Sequence, residues 1–307
     1  MSISSVKATI NGQVHTLTYN STSGKWEATV TAPSLSSYNQ DGHYYPVSLE
    51  ATDNAGNTAT ATTTHTTVGN SLKLVVKEKV APTITITAPT AGAYIVNNKP
   101  TITAQLRDAD SGVDISTLSL QIDSNAAVNS TATGMTATKV TGGYDITYAP
   151  QTALSDGNHT AKITVKDFDG NAATQATVTF KVDTVPPTLS VTSPTAGLVT
   201  NKTTGTVAGT TNDATSSPVT IKITLNGVDQ GAVTVGTNGS FTKSVTYSEG
   251  ENTIVVTATD AAGKTSTVTR TVTINTKAPK FTAVTITPNP VDCGNTFVIA
   301  VTVTEGS

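Results

Sequence analysis

Cys293 is the only cysteine in the sequence, so no disulfide can form within one chain and the fold cannot rely on one. It has no neighbouring His, Lys or Arg to hold a thiolate and it precedes Gly294-Asn295, so it reads as an inert thiol. Aromatic residues are scarce, at 5% of the chain, and no face gathers them into a platform for stacking sugars or bases. Charged residues are only 13%, with 18 Lys and Arg against 21 Asp and Glu, a net charge of −3. Nucleic-acid affinity rests on clustered cations that neutralise phosphates, and no such cluster exists, so nucleic acid is excluded as a partner. Uninterrupted apolar runs last a few residues, far short of the ~20 that a spanning helix needs, so no membrane helix is expected.

Chemistry-bearing motifs are equally sparse. The four histidines, His15, His43, His65 and His159, lie on different segments, and none has metal-ligand spacing. They read as solvated or hydrogen-bonded surface residues. There is no Gly-x-Ser-x-Gly elbow and no glycine-rich phosphate loop ahead of a helix. Paired carboxylates for glycoside cleavage need a cleft that narrow sandwiches seldom offer. The sequence therefore reads as non-enzymatic, with no required cofactor. The opening residues Met1-Ser2-Ile3-Ser4-Ser5-Val6-Lys7 lack the basic region and apolar core of a secretory signal. The expectation is an excised piece of a longer array, or a protein that leaves the cell without that signal.

What the sequence does have is threonine and repetition. Threonine's branched Cβ favours the pleated strand, and no long stretch carries a 3.6-residue apolar period, so almost no helix is expected. Residues 42–57, 157–171 and 250–264 repeat one another. Each reads as an alternating strand, with Ile163 and Val165 or Ile254 and Val256 facing inward. Each ends in an Asp-x-x-Gly turn, at Asp53, Asp167 and Asp260, where Asp accepts nearby backbone N–H groups and Gly supplies positive φ. Threonine-rich strands at 173–182 and 265–274 complete hairpins. Ala81-Pro82-Thr83-Ile84, Pro186-Pro187-Thr188-Leu189 and Ala278-Pro279-Lys280-Phe281 each open a new strand, proline stopping the one before. Strands at 101–106 and 204–208 follow the first two of these. Ile10-Asn11-Gly12, Ile122-Asp123-Ser124 and Leu225-Asn226-Gly227 are strand ends at hairpin turns. Trp26, Tyr144 and Phe241 then mark a strand whose aromatic packs between sheets.

This periodicity gives an all-β fold of tandem β-sandwich modules in an elongated array: 1–80, lacking its first two strands; 81–184; 185–277; and a partial module at 278–307 with two opening strands. The Ala-Thr-Asp-x-Ala-Gly hairpin and the Val-Asp-Thr-x-x-Pro junction resemble bacterial immunoglobulin-like repeats, over 80–280 and partly over 1–80. The resemblance implies an immunoglobulin-like sandwich of the kind found in adhesins, secreted multidomain enzymes and phage virion proteins. The runs at 286–303 and 19–28 are similar to prophage-encoded, immunoglobulin-like proteins of Firmicutes. A virion protein assembled in the cytoplasm would need no signal peptide.

The ends are out of step with the repeats. The first module starts at a strand equivalent to 220–225, while 281–304 reads as two opening strands around Pro288-Asn289-Pro290. An array cut from a longer chain fits this pattern, as does a strand at 72–76 that replaces a missing one. Donation fits too: the tail of one copy adds strands to the open edge of the next by head-to-tail strand exchange.

Calcium is the one ion the sequence points to. Asp108, Asp110 and Asp114 flank Gly112 with oxygens at alternate positions, like part of a calcium loop, though no closing glutamate is present. The alternative is an inter-strand loop whose aspartates cap backbone N–H groups. The resemblance to adhesin repeats implies a second site at a module junction, with Asp167, Asp169 and Asp183 as ligands. Lys77-Glu78-Lys79 and Asn275 depart from that pattern at the other junctions. The lysine–asparagine isopeptide of some surface sandwiches needs a buried Lys and a nearby carboxylate, which the sequence does not locate. The reading is a structural or adhesive spacer in a virion or on a cell surface. Its expected partners are other copies, virion or tail proteins and surface or mucus glycans. A cell-surface adhesin, or accessory modules of a secreted polysaccharide enzyme, stay open.

Overall fold

Residues 2–306 are described by a computed structural model. The expected all-β fold is what they form: tandem β-sandwiches without an α-helix among the described residues, relieved by 3-10 turns at Ser37–Asn39, Asp41–His43 and Gly69–Leu72. The chain divides into two compact units, one taking residues up to 93 and 97–181, the other 94–96 and 182 onward.

In the second unit, Thr188–Ser193, Thr204–Asn212 and Ser240–Thr246 form one sheet in that order. The facing sheet runs Leu198–Thr200, Thr265–Ile274, Gly250–Thr259, Thr220–Leu225, Val228–Asp229. Alternation sends every second side chain inward. Val207, Ile223, Ile254, Val256 and Val272 are 0% exposed, and Phe241 fills the space between the sheets. Each such side chain contributes about 1.5–3 kcal/mol by leaving water. Gly209 is required by this packing, because a Cβ there would stand 2.1 Å from the Ser190 carbonyl oxygen and 2.7 Å from the Phe241 ring.

In the first unit, residues 81–181 repeat the plan. Met135–Val140, Gly143–Tyr148, Ile102–Arg107 and Thr83–Ala88 form one sheet. Val113–Ile122, Gly157–Asp167 and Ala176–Val182 form the other. Ile102, Leu106, Ala161 and Ile163 are buried between them. Tyr144 is only half-buried, because it opens its strand; Ile146 and Tyr148, further along the same face, take the core positions expected of it.

The residues before 81 form a single sheet: Lys25–Glu27, Gln13–Asn20, Ile3–Ile10, Tyr45–Asp53, Thr58–Ala61. The segment at 72–76 does not replace a missing strand of the opposite sheet. Gly69–Leu72 is a 3-10 turn, and Lys73–Leu74 pairs with Pro46 and Tyr45, extending the sheet already there. Trp26 is half-buried with its ring centroid 5.7 Å from that of Tyr19, so it does not sit between two sheets. After the last sandwich, Lys280–Thr287 and Val298–Thr304 pair with each other in a two-stranded sheet.

The turn chemistry follows the sequence closely. Asp53 Oδ1 accepts from the Ala55 and Asn57 N–H groups, both at 2.8 Å. Asp167 Oδ1 accepts from Asn171 at 2.7 Å, and Asp260 Oδ1 from Lys264 at 2.8 Å. Asn11 and Gly12, like Asn226 and Gly227, have positive φ, as the tightest hairpin turn demands.

Candidate metal centres

Each sandwich places acidic side chains on its turns, and twice three of them converge. In the second unit, Asp183 stands just before Thr188–Ser193, Asp213 just after Thr204–Asn212, and Asp260 at the end of Gly250–Thr259. One carboxylate oxygen from each lies within 4.8 Å of the others. Two oxygens bound to one calcium at 2.3–2.6 Å can be at most about 5 Å apart, so the spacing suits a shared ion.

Burial makes this grouping demanding. Asp183 is 0% exposed, Asp260 5% and Asp213 8%. Asp183 Oδ1 accepts from the Val185 N–H at 3.1 Å, and its Oδ2 from the Ser216 hydroxyl. Asp213 Oδ1 accepts from the N–H groups of Thr215 and Ser216 at 2.8 and 2.6 Å. Asp260 Oδ2 is buried without any hydrogen-bond partner. The ion pairs Arg107–Asp145, His159–Asp123 and Lys222–Asp229 all lie away from this cluster. Buried carboxylates gathered without a cation are costly. An all-oxygen set with one orphaned lone-pair face fits a hard divalent cation, and without His or Cys it does not suit zinc.

The first unit holds an equivalent set, Glu78, Asp108 and Asp167, again within 4.8 Å of one another. Asp108 Oδ1 accepts from Asp110 and Gly112 N–H at 3.1 and 2.8 Å. Both Asp167 oxygens are held by Asn171, through its N–H and its side-chain amide, each at 2.7 Å. Glu78 Oε1 accepts from the Ser111 N–H at 2.6 Å.

Of the six residues singled out in the sequence, Asp108 and Asp167 thus meet each other, and Asp183 meets two that were not on that list. Asp110, Asp114 and Asp169 are engaged elsewhere. The Asp110 carboxylate accepts from the Ser36 N–H at 2.9 Å, Asp114 Oδ1 binds the Ser116 N–H and hydroxyl, and Asp169 Oδ2 accepts from the Glu78 N–H at 2.9 Å. The aspartates of 108–114 therefore all accept from backbone N–H groups, and Asp108 is the one that also stands in a carboxylate cluster. Glu78, Asp213 and Asp260 were missed. Their signal was the repeat register: Glu78 and Asp183 each stand four residues before the junction prolines Pro82 and Pro187, so the glutamate keeps the acidic position.

The histidine expectation needs correction at one position. His159 is buried, because alternation along Gly157–Asp167 turns it inward. Its Nδ1 lies 2.7 Å from Asp123 Oδ2 and its Nε2 2.7 Å from the Ser155 carbonyl oxygen. Both ring nitrogens are occupied in tying a turn to a loop. They border a cavity of about 630 Å³ also lined by Leu120, Tyr148 and Leu154.

Two family models agree with the architecture. Residues 79–184 match the family model of a bacterial Ig-like domain, and residues 187–276 that of domain B of glucodextranase. No curated protein matches the chain. Among solved structures, the chain is similar to fibronectin(III)-like modules of Clostridium thermocellum CbhA, at 16% identity and TM-score 0.38. That match covers 62% of this chain and 94% of that one. It is also similar to Sidekick-1 immunoglobulin domains 1–5, at 12% identity and TM-score 0.39, over 99% of this chain and 60% of that one. The chain thus carries a stretch at 79–184 that matches a bacterial Ig-like domain and one at 187–276 that matches domain B of glucodextranase, both within an all-β fold of tandem sandwiches.

Proposed function

We propose that this chain is a non-enzymatic spacer of immunoglobulin-like modules, part of a virion or an extracellular surface, with calcium bound at its carboxylate clusters. The observation that carries the cation is the buried, unpartnered Asp260 Oδ2 beside Asp183 and Asp213. Calcium there ties the residue that leads into the module to two of its loops. The cluster of Glu78, Asp108 and Asp167 supplies the same tie where the first two modules meet. Each set brings together three carboxylate oxygens, one per residue, and carbonyls or water would complete the 6–8 ligands that calcium takes.

A spacer needs stiffness, and cross-linking loops with an ion supplies it without enlarging a core. Isothermal titration of the chelator-stripped chain with calcium tests the reading directly. The expected result is saturable binding that Asp183→Asn and Asp213→Asn remove from one site, while magnesium competes weakly. A flat titration would remove the cation from the proposal.

A further inference from the structure

Among the described residues, strand pairs and the sheets they cover are not matched one to one. Residues 81–181 and 182–276 each contain an opening strand pair laid over a second sheet. The sheet at residues 3–61 has no such pair over it among the described residues, and the pair Lys280–Thr287 with Val298–Thr304 has no sheet beneath it.

Both halves of this mismatch are exposed apolar surface. In the hairpin, Val284 pairs with Val301, Ile286 with Ile299 and Phe281 with Val303, so one face presents six large apolar side chains. All six are exposed, Phe281 by 77%. The opposite face carries Ala283, Thr285, Thr287, Ala300 and Thr302 with a single large apolar side chain, Val298, so the two sides of the hairpin differ in character. In the first sheet, Val47, Leu49 and Ala51 hold the places that Ile254, Val256 and Ala258 hold in the second unit, counted back from Asp53 and Asp260. The latter three are 0% exposed, while the former are only half-buried. Ile10 likewise stays half-open where Leu225 is buried. A groove of about 450 Å³ lies on this module, lined by Ala8, Ile10, Leu17, Trp26, Val30 and Leu74.

We propose that the hairpin 280–304 of one copy covers the open sheet of the first module of a second copy. The occupant is specified by the repeats themselves. Thr83–Ala88 with Ile102–Arg107, and Thr188–Ser193 with Thr204–Asn212, are the same antiparallel pair, opened by the same proline junction, and each covers its sheet in this way. In both, the second strand also pairs with the strand of the module's aromatic, Leu106 opposite Tyr144 and Gly209 opposite Phe241. Lys25–Glu27, which holds Trp26, is the edge of its sheet and has a side free for Val298–Thr304. Each copy offers one hairpin and one open sheet at different places, so the contact is heterologous and propagates into chains of copies.

Mass measured by light scattering across a concentration series is the test, with four proteins. The unaltered chain is expected to give masses at successive multiples of one copy, rising with concentration. A variant ending at residue 279, and a full-length variant with Ile286→Asp and Ile299→Asp, are expected to stay at one copy; the second keeps the tail and touches no buried position. A third variant, Ala28→Arg, blocks the groove at an exposed residue and is also expected to be single. Mixing the groove-blocked and tail-altered proteins restores one good groove and one good hairpin, giving pairs and nothing longer. Hydrogen exchange of 26–31 and 298–304 should slow together in the associated form. A single-copy mass for the unaltered chain at all concentrations overturns the proposal, including the case where those amides are protected, which would mean the hairpin folds on its own chain. Oligomers that survive removal of the tail overturn it as well.

Discussion

Asp260→Asn should separate the two roles of that side chain, because its two oxygens do different things. Oδ1 accepts from the Lys264 N–H at 2.8 Å and holds the hairpin turn. Oδ2 is buried and unpartnered, in a side chain whose carboxylate comes within 4.8 Å of those of Asp183 and Asp213. Asparagine keeps the first oxygen and replaces the second with an amide that can donate to Asp183 or Asp213. In EDTA the substitution therefore removes one of three crowded charges and leaves the turn intact, so the module should melt at the same temperature or higher. In calcium the order reverses. A cation present at a hundred times its dissociation constant stabilises the folded state by about 2.7 kcal/mol. For a module the size of residues 187–276, each kcal/mol moves the midpoint by about 4–8 °C, so calcium should raise the unaltered protein by ~10–20 °C. The asparagine variant should lose at least half of that rise. Asp260→Ala is the control. It also strips the cap from the Lys264 N–H, costing about 1–3 kcal/mol in either buffer. Scanning calorimetry of the full chain in both buffers reads all three. Superimposed melts of the unaltered chain in EDTA and calcium would refute the argument. So would an asparagine variant that loses as much in EDTA as the alanine.

Val256→Ala, at a position 0% exposed between two sheets, should cost about 2–4 kcal/mol through lost burial and a residual cavity; a urea midpoint within error of the unaltered chain would contradict the assigned core. Asp123→Ala should cost about 1–3 kcal/mol, since His159 Nδ1 and the Thr160 N–H both lose their acceptor. Asp123→Asn should recover part of this, and equal losses for the two would count against the network. Asp53 is held below the ordinary aspartate range, first by the Asn57 side-chain amide and then by the Asn57 N–H. Its hydrogen bonds therefore favour the folded turn above the free aspartate pKa and fade as the pH falls through the depressed value. Carboxyl carbon NMR should show Asp53 titrating low, and Asn57→Ala should move it back up; no movement would mean that another group sets it.

The legible part of this protein was periodic and local. Alternation at Ile163 and Val165 or Ile254 and Val256 named core faces because a strand has only two sides, and all four are buried. The Asp-x-x-Gly turns were legible because donor and acceptor lie within four residues of each other. Trp26 shows the limit: its place in the repeat is that of a core aromatic, but core status needs a second sheet, which no stretch of local sequence contains. The metal candidates show it again. Asp108 and Asp110 are two residues apart, yet one points to Glu78 and Asp167 while the other binds the Ser36 N–H. The sequence alone determined strands, turns and their repetition, since those depend on neighbouring residues and a period of two. Which carboxylates meet, and which apolar faces stay uncovered, depended on residues brought together from 30 to 90 positions apart (Asp183 with Asp213, Glu78 with Asp167), and only the packed sheets decide that.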